Sequence, residues 1–390
     1  MKTKPTLYVL LPVLLSFFVM SFADLVGIGV DRVTDDFKLD PSTAQLIPSA
    51  AFLWFFLLSV PVGIVQSRIG KKLMLNIGMI ITAVGMLVPF IIYTFPMVLA
   101  GFALLGIGNT IVQVSANPLL VDVVPGNRAS SYMSFSQFIK AIGSMIAPPL
   151  ATLLALKFGD WKLLFLVFGL VSIISVVWLA AVKVEETPAE LKATLISSLK
   201  LLGNGFVLFM VLSIFIVVGV DVGFNTNSGQ FLIHRYGFLQ DAAESGRSIY
   251  FLGRMVGTFI GALLLTRIIS TRFFTWSSFL GIISFIVLLM LPSSINDIIV
   301  WVLVFITGLA VANIFPLVFS ITVRQFPERS NEISGLMMMA ISGGAVFPPL
   351  MGLITKHSNV TWGMSVLLIC MILLLLSSLY ACIKASRLVE

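Results

Sequence analysis

The feature that most limits what this chain can fold into is a recurring run of about twenty mostly apolar residues. Such runs occupy 7–30, 45–66, 73–95, 97–120, 133–156 and 163–183, and then 204–227, 247–266, 274–293, 297–320, 333–355 and 362–383. Roughly 20 apolar residues in a helix cross the ~30 Å hydrocarbon layer of a bilayer. Lipid offers backbone polar groups no partner, so only helices or closed barrels span it, and runs this long predict helices. The expectation is an all-α membrane protein of 12 transmembrane helices. Composition points the same way: 58% of the 390 residues are hydrophobic and 11% are charged, against about a quarter charged in soluble domains.

The net charge of +7 predicts one-sided loops rather than a nucleic-acid partner. With both termini in the cytoplasm, Arg68, Lys71, Lys72, Arg128, Lys183, Lys192, Lys200, Arg267, Arg272, Arg324, Arg329 and Lys384 fall inside. The outer loops hold Arg32, Lys38, Lys157, Lys162, Arg235 and Lys356. Positive charge on the cytoplasmic side is the usual bias of multi-pass proteins. The opening MKTKP, the apolar stretch and Ser21-Phe22-Ala23 resemble a cleavable leader. The apolar run is long for one, however, and keeping it gives the more regular topology. Cys370 and Cys382 share the last apolar run, and His234 and His357 stand apart. Neither a disulfide framework nor a metal cluster is expected, and no cofactor beyond a coupling proton or sodium ion.

The runs fall into two sets of six. The longest polar interruption, KVEETPAELKATLISSLKLLGNG (183–205), divides them into an N-terminal bundle (1–183), a cytoplasmic linker (184–203) and a C-terminal bundle (204–390). The halves look alike. KAIGSMIAPPLATLL from Lys140 matches AISGGAVFPPLMGLI from Ala340 without a gap, and Asn117-Pro118 has a counterpart in Asn313 and Pro316. Gly and Pro at corresponding places in two membrane repeats point to a transporter with its site between them.

Charges inside a span cost about 2.5–3.5 kcal/mol on insertion scales, which makes each a functional candidate. Asp24, Lys140, Asp221 and Arg254 qualify. At 1.5 Å per residue, Asp24 and Asp221 lie at similar heights in spans one and seven, and Asp221 is within reach of Arg254. Lys140, about two turns from the cytoplasm, is expected too low for direct contact with Asp24, and either snorkels to the surface or faces a polar cavity. Asn109, Gln113 and Asn117 recur every fourth residue on one face of span four, Gln137 and Lys140 share a face of span five, and Asn225 follows Asp221. Carboxamides pair donors with acceptors as neighbouring sugar hydroxyls require. Trp54, Phe55, Phe56, Phe224 and Phe231 could pack against a pyranose face, although in a chain with 32 phenylalanines packing is the plainer role. Each acid also has a plain reading: Asp24 as the outer membrane boundary, and Asp221 with Arg254 as a structural ion pair.

These patterns resemble the major facilitator superfamily, and within it the fucose/glucose–galactose permease branch. GIVQSRIGKK (63–72) is similar to the superfamily's Gly-x-x-x-Asp-Arg-x-Gly-Arg-Arg loop, with Ser67 where an acid is usual. SANPLL (115–120), VGVDVGFN (218–225), GRMVGTFIG (253–261), FPLVFS (315–320) and SGLMMMAISGGAVFPPLMG (334–352) resemble the branch in spans four, seven, eight, ten and eleven. The resemblance implies a two-bundle fold and a secondary transporter, not an enzyme. It implies a proton-sensitive acid at Asp24, an acidic position at Asp221, a helix-eight arginine at Arg254 and a gating loop containing Arg68. Gln113 stands where the fucose permease has a coupling glutamate.

The function expected is proton-coupled import of a hexose or deoxyhexose by alternating access, by a monomer in the bacterial inner membrane. Asn109, Gln113, Asn117, Gln137, Lys140, Asn225 and Asn313 are the expected sugar contacts, and Asp24 and Asp221 the coupling acids. Sodium-coupled or uncoupled sugar transport, or proton-driven export of amphipathic compounds, are the alternatives. A membrane enzyme would need a converging nucleophile–base or metal set, which no histidine or cysteine cluster of the sequence offers.

Overall fold

The computed structural model describes residues 7–124, 129–186, 195–264, 268–326 and 329–386. The apolar runs become helices α1 (Leu7–Phe37), α2 (Pro41–Gln66), α3 (Lys71–Ile91), α4 (Phe95–Val123), α5 (Ala129–Phe158) and α6 (Leu163–Ala181). After the linker come α7 (Gly205–Tyr236), α8 (Gln240–Leu264), α9 (Ser270–Met290), α10 (Asp297–Thr322), α11 (Gly335–His357) and α12 (Val360–Lys384). All but α8 are long and apolar enough to cross a membrane. α8 carries Asp241, Glu244, Arg247 and Arg254 along its length.

Local chemistry sets several ends. Asp40 accepts the Ser42 N–H and Pro41 follows it, so α2 starts there. Asn204 and Asn296 cap α7 and α10 in the same manner, satisfying N–H groups a helix start leaves open. Gly237 ends α7 in the left-handed region, φ 73°, which costs glycine little.

Two spans are longer than their apolar runs. α1 continues past residue 30 to Phe37, and α8 begins at Gln240 rather than 247. Asp31, Arg32, Asp241 and Glu244 therefore lie on helices, where ion pairing offsets their cost. α1 tightens into a 3₁₀ turn at Ser21–Leu25, the turn that carries Asp24. α11 does the same at Ala340–Ser342, and α10 is interrupted at Ala312–Asn313.

Each set of six helices encloses its own apolar core, with Phe17, Phe22, Phe102 and Phe165 in the first and Phe224, Phe274, Phe285 and Met371 in the second. The halves meet where α5 packs on α8, α2 on α11 and α1 on α7. At the face bearing the linker, Lys71 pairs with Asp122 at 2.5 Å. The Glu186 carboxylate accepts the N–H groups of Lys71 and Lys72 at the start of α3. Lys72 Nζ donates to the Ala180 and Val182 carbonyls ending α6. Arg68 is exposed there. The Ser67 side chain, Arg128, Lys192 and Arg267 lie outside the described residues.

Candidate functional site: a charged cluster between the two halves

The 3₁₀ turn of α1 places Asp24 at mid-depth, facing both halves. Ser144 Oγ of α5 donates to its carboxylate at 2.5 Å, and Asn225 Nδ2 of α7 donates to its main-chain carbonyl at 2.8 Å. One turn below Asn225, Asp221 holds Arg254 Nη1 at 2.7 Å and accepts the Tyr250 hydroxyl at 2.7 Å. Arg254 and Tyr250 are one turn apart on α8, and Tyr250 is locked by stacking on Phe224, ring centroids 4.5 Å apart. Asp24 and Lys140 both lie within electrostatic reach of Asp221. No described carboxylate is within 4.0 Å of Lys140 Nζ, as its height predicts. Asp24, Lys140, Asp221 and Arg254 thus form one group of two acidic and two basic side chains drawn from α1, α5, α7 and α8.

Exposure decides what this group faces. The Asp221 and Arg254 side chains are 19% and 25% accessible, and Asp24, Lys140, Gln137 and Asn117 are half-buried. Mid-membrane charges are costly against lipid tails, so this partial access argues for a polar space between the halves. Toward the face opposite the linker the halves are joined by ion pairs. Arg32 meets Asp241 and Glu244, Arg247 meets Asp31 with both side chains at 1% or less, and Lys356 meets Asp40 at 3.0 Å. Gln45 Nε2 also donates to Asn227 across the same seam. The halves are therefore fastened to each other at that face.

The amide ladder of α4 divides in two. Asn109 is fully buried; its Nδ2 donates to the Met20 carbonyl at 2.9 Å, and its Oδ1 accepts Gln113 Nε2 at 2.8 Å. Asn109 thus fastens α4 to α1 just before the 3₁₀ turn and is corrected from solute contact to seam residue. Asn313 needs the same correction: it is buried, and its Nδ2 donates to the Gly257 carbonyl at 2.7 Å. Asn225 spends its donor on α1 and is 3% exposed. Gln113 and Asn117 lie about 6 and 12 Å further toward the linker face, at 1.5 Å per residue. Asn117 donates back to the Gln113 carbonyl, leaving its Oδ1 without a partner. Gln137, Lys140, Ala141 and Ser144 share the facing surface of α5 by their three- and four-residue spacing. Phe55, Phe224 and Phe231 are each 1% exposed, so they are core residues rather than a sugar platform.

Sequence reasoning passed over Ser144, Tyr250, Asp31, Arg247, Arg32 and Glu244. One signal was available: Asp24 and Asp31 on α1, and Arg247 and Arg254 on α8, are each seven residues apart.

Two six-helix sets that meet through irregular helices, with charges from both gathered where they meet, define a membrane carrier. The chain belongs to the major facilitator superfamily, whose family profile matches residues 12–349. It is 27% identical over 369 residues to a glucose/galactose transporter of Brucella abortus biovar 1, covering 87% of this chain and 85% of the relative. A putative glucose/galactose transporter of Helicobacter pylori (strain J99) is 26% identical over 384 residues, 91% of this chain and 92% of that one. Among solved structures, the E. coli fucose:proton symporter superposes with a TM-score of 0.71 at 16% identity, over 96% of this chain and 99% of that one. A bacterial homologue of the lysosomal transporter Spinster, inward-facing and occupied, gives 0.75 at 17%, over 99% and 98%. At these identities the structural likeness concerns the fold.

Proposed function

We propose that this protein is a secondary active importer of a monosaccharide, a hexose or deoxyhexose, coupled to protons and working by alternating access in the bacterial inner membrane. Both termini and the linker face the cytoplasm in this reading, which puts the ion-paired face outside. The protein works as a monomer. The observation that carries the proposal is the meeting of Asp24, on the α1 turn, with Ser144 of one half and Asn225 of the other. The carboxylate is held from its own half and the main-chain carbonyl of the same residue from the other, so movement of the halves changes the carboxylate's surroundings. Asn117 and Gln137 offer half-buried, hydroxyl-matching amides with Lys140 beside them, and Gln113 lies buried behind Asn117 with its Nε2 on Asn109. Two relatives described as glucose/galactose transporters support a hexose.

Mechanistically, each half rocks about the chamber so that it opens to one side at a time. A carboxylate whose surroundings are wet in one state and dry in the other binds a proton differently in each, which links proton movement to solute movement. Asp221, neutralised by Arg254, holds the charge balance of the chamber during that exchange.

The test is counterflow in proteoliposomes with labelled glucose, galactose and fucose, with and without sodium and at two pH values. Exchange of one of these sugars, driven uphill by acid outside and indifferent to sodium, is expected. No exchange of any sugar, with resistance to lipophilic cations conferred on cells instead, would overturn the reading in favour of export.

A further inference from the structure

The acids of α1 and the arginines of α8 form two levels. α1 runs away from the linker face and α8 runs toward it. Seven-residue spacing puts the levels about 10 Å apart. At the lower level the helices are not joined: Arg254 holds Asp221 of its own half, and Asp24 accepts Ser144. At the upper level they are joined by the Arg247–Asp31 pair. This is the most deeply buried ion pair between the halves, at 0% and 1%; Arg32 is 14% and Lys356 46% exposed.

We infer that Arg247 is a positioning residue of the transport cycle: with Asp31 it latches the chamber at the face opposite the linker, and through Asn225 it fixes the turn that carries Asp24. The inference rests on the alternating-access reading but not on the identity of the solute. Arg247 Nε donates to the Asn225 carbonyl at 2.7 Å, and Asn225 Nδ2 donates to the Asp24 carbonyl at 2.8 Å. Three consecutive contacts therefore run from the latch to the central acid. Close backbone approach makes the path tight. A Cβ on Gly229 would collide with the Asp31 carboxylate and the Arg247 guanidinium, and one on Gly27 with the Asn225 side chain.

A dry ion pair adds little net stability over apolar packing of the same volume, so fastening alone is a poor reason for this one. A seam that must open to water is a better reason, because both ions are solvated once the halves part. The pair is also incompletely satisfied: among the described residues Asp31 Oδ1 and Arg247 Nη1 have no hydrogen-bond partner. Such a contact has two arrangements, dry and bonded or wet and apart, as a gate requires.

The experiment places spin labels at Thr94→Cys and Ser294→Cys, exposed turns of the two halves at the latched face. Cys370 and Cys382 are replaced by serine, and distances are read in lipid nanodiscs. The parent should show one dominant short distance. Asp31→Asn and Arg247→Gln should each raise a longer distance at least tenfold in population, and the exchange Asp31→Arg with Arg247→Asp should restore the short one. Gly229→Ala crowds the pair without removing a charge and should act like the single variants, which covers failure of those variants to fold. Folded variants with an unchanged distance distribution would overturn the latch and leave the pair a structural fastening. The labels need no solute, so a failed hexose counterflow would sink the sugar reading without touching this result.

Discussion

Replacing Asp24 by asparagine tests the coupling argument with the least structural disturbance. Asparagine keeps an acceptor for Ser144 Oγ, now 2.5 Å from the carboxylate, and leaves the Asn225 bond to the main chain intact. The hydrogen bond loses its charge assistance, about 1 kcal/mol by the difference between charged and neutral bonds, so the variant should assemble. What it loses is titration. One proton moving with each sugar down an imposed potential of about 100 mV supplies about 2.3 kcal/mol. At about 1.36 kcal/mol per tenfold, that supports roughly 50-fold accumulation. The assay is labelled galactose or glucose uptake into energised proteoliposomes, beside counterflow in the same preparation. Asp24→Asn should fall from that ratio to about one while counterflow persists. Undiminished accumulation in a folded variant would refute the assignment.

Other outcomes follow from the same geometry. Asp221→Asn leaves Arg254 without its ion partner and should lower the melting temperature, by less than the ~3–5 kcal/mol of a fully buried pair because both side chains keep partial access, with the double variant Asp221→Asn/Arg254→Gln recovering most of the loss. Asn109→Ala strands the buried Met20 carbonyl and should cost about 1–3 kcal/mol of stability. Gln113→Ala should instead raise KM for sugar with little change in melting; a reversed pattern would exchange their roles. The Asp40 carboxyl, outside the membrane-spanning helices, is held well below the usual carboxylate range by the Thr43 and Ser42 hydroxyls and Lys356. A lowered value means its bridge is present above the ordinary carboxylate range and is lost only in strong acid. Asp40→Asn should therefore leave the pH profile of uptake between pH 7 and 5 unchanged in shape, and an altered acid limb would show that Asp40 titrates there.

Much of this was legible in the chain itself. Apolar run length reported the helices because lipid imposes it, and the depths of Asp221 and Arg254 brought their pair into reach before any coordinates. The remainder depended on backbone detail. The partner of Asn109 is the Met20 carbonyl beside the 3₁₀ turn of α1, and nothing in SFADL announces that turn. A periodic amide therefore reads alike whether it lines a chamber or seals a seam. Asp31 and Arg247 were passed over because hydropathy ends a span where charge begins. The helices run on for one or two turns beyond, carrying ions that pair across the halves.

The central claim is that both halves wall one wet chamber, open at the linker face, in which the solute binds. Ala141 lies on the α5 face shared by Gln137, Lys140 and Ser144, half-buried, and a cysteine there removes no polar group. In a background lacking Cys370 and Cys382, Ala141→Cys should react with a membrane-impermeant thiol reagent supplied from the linker face. The transported sugar should slow that reaction. No reaction from either face, or a rate indifferent to every sugar the protein exchanges, would contradict the account.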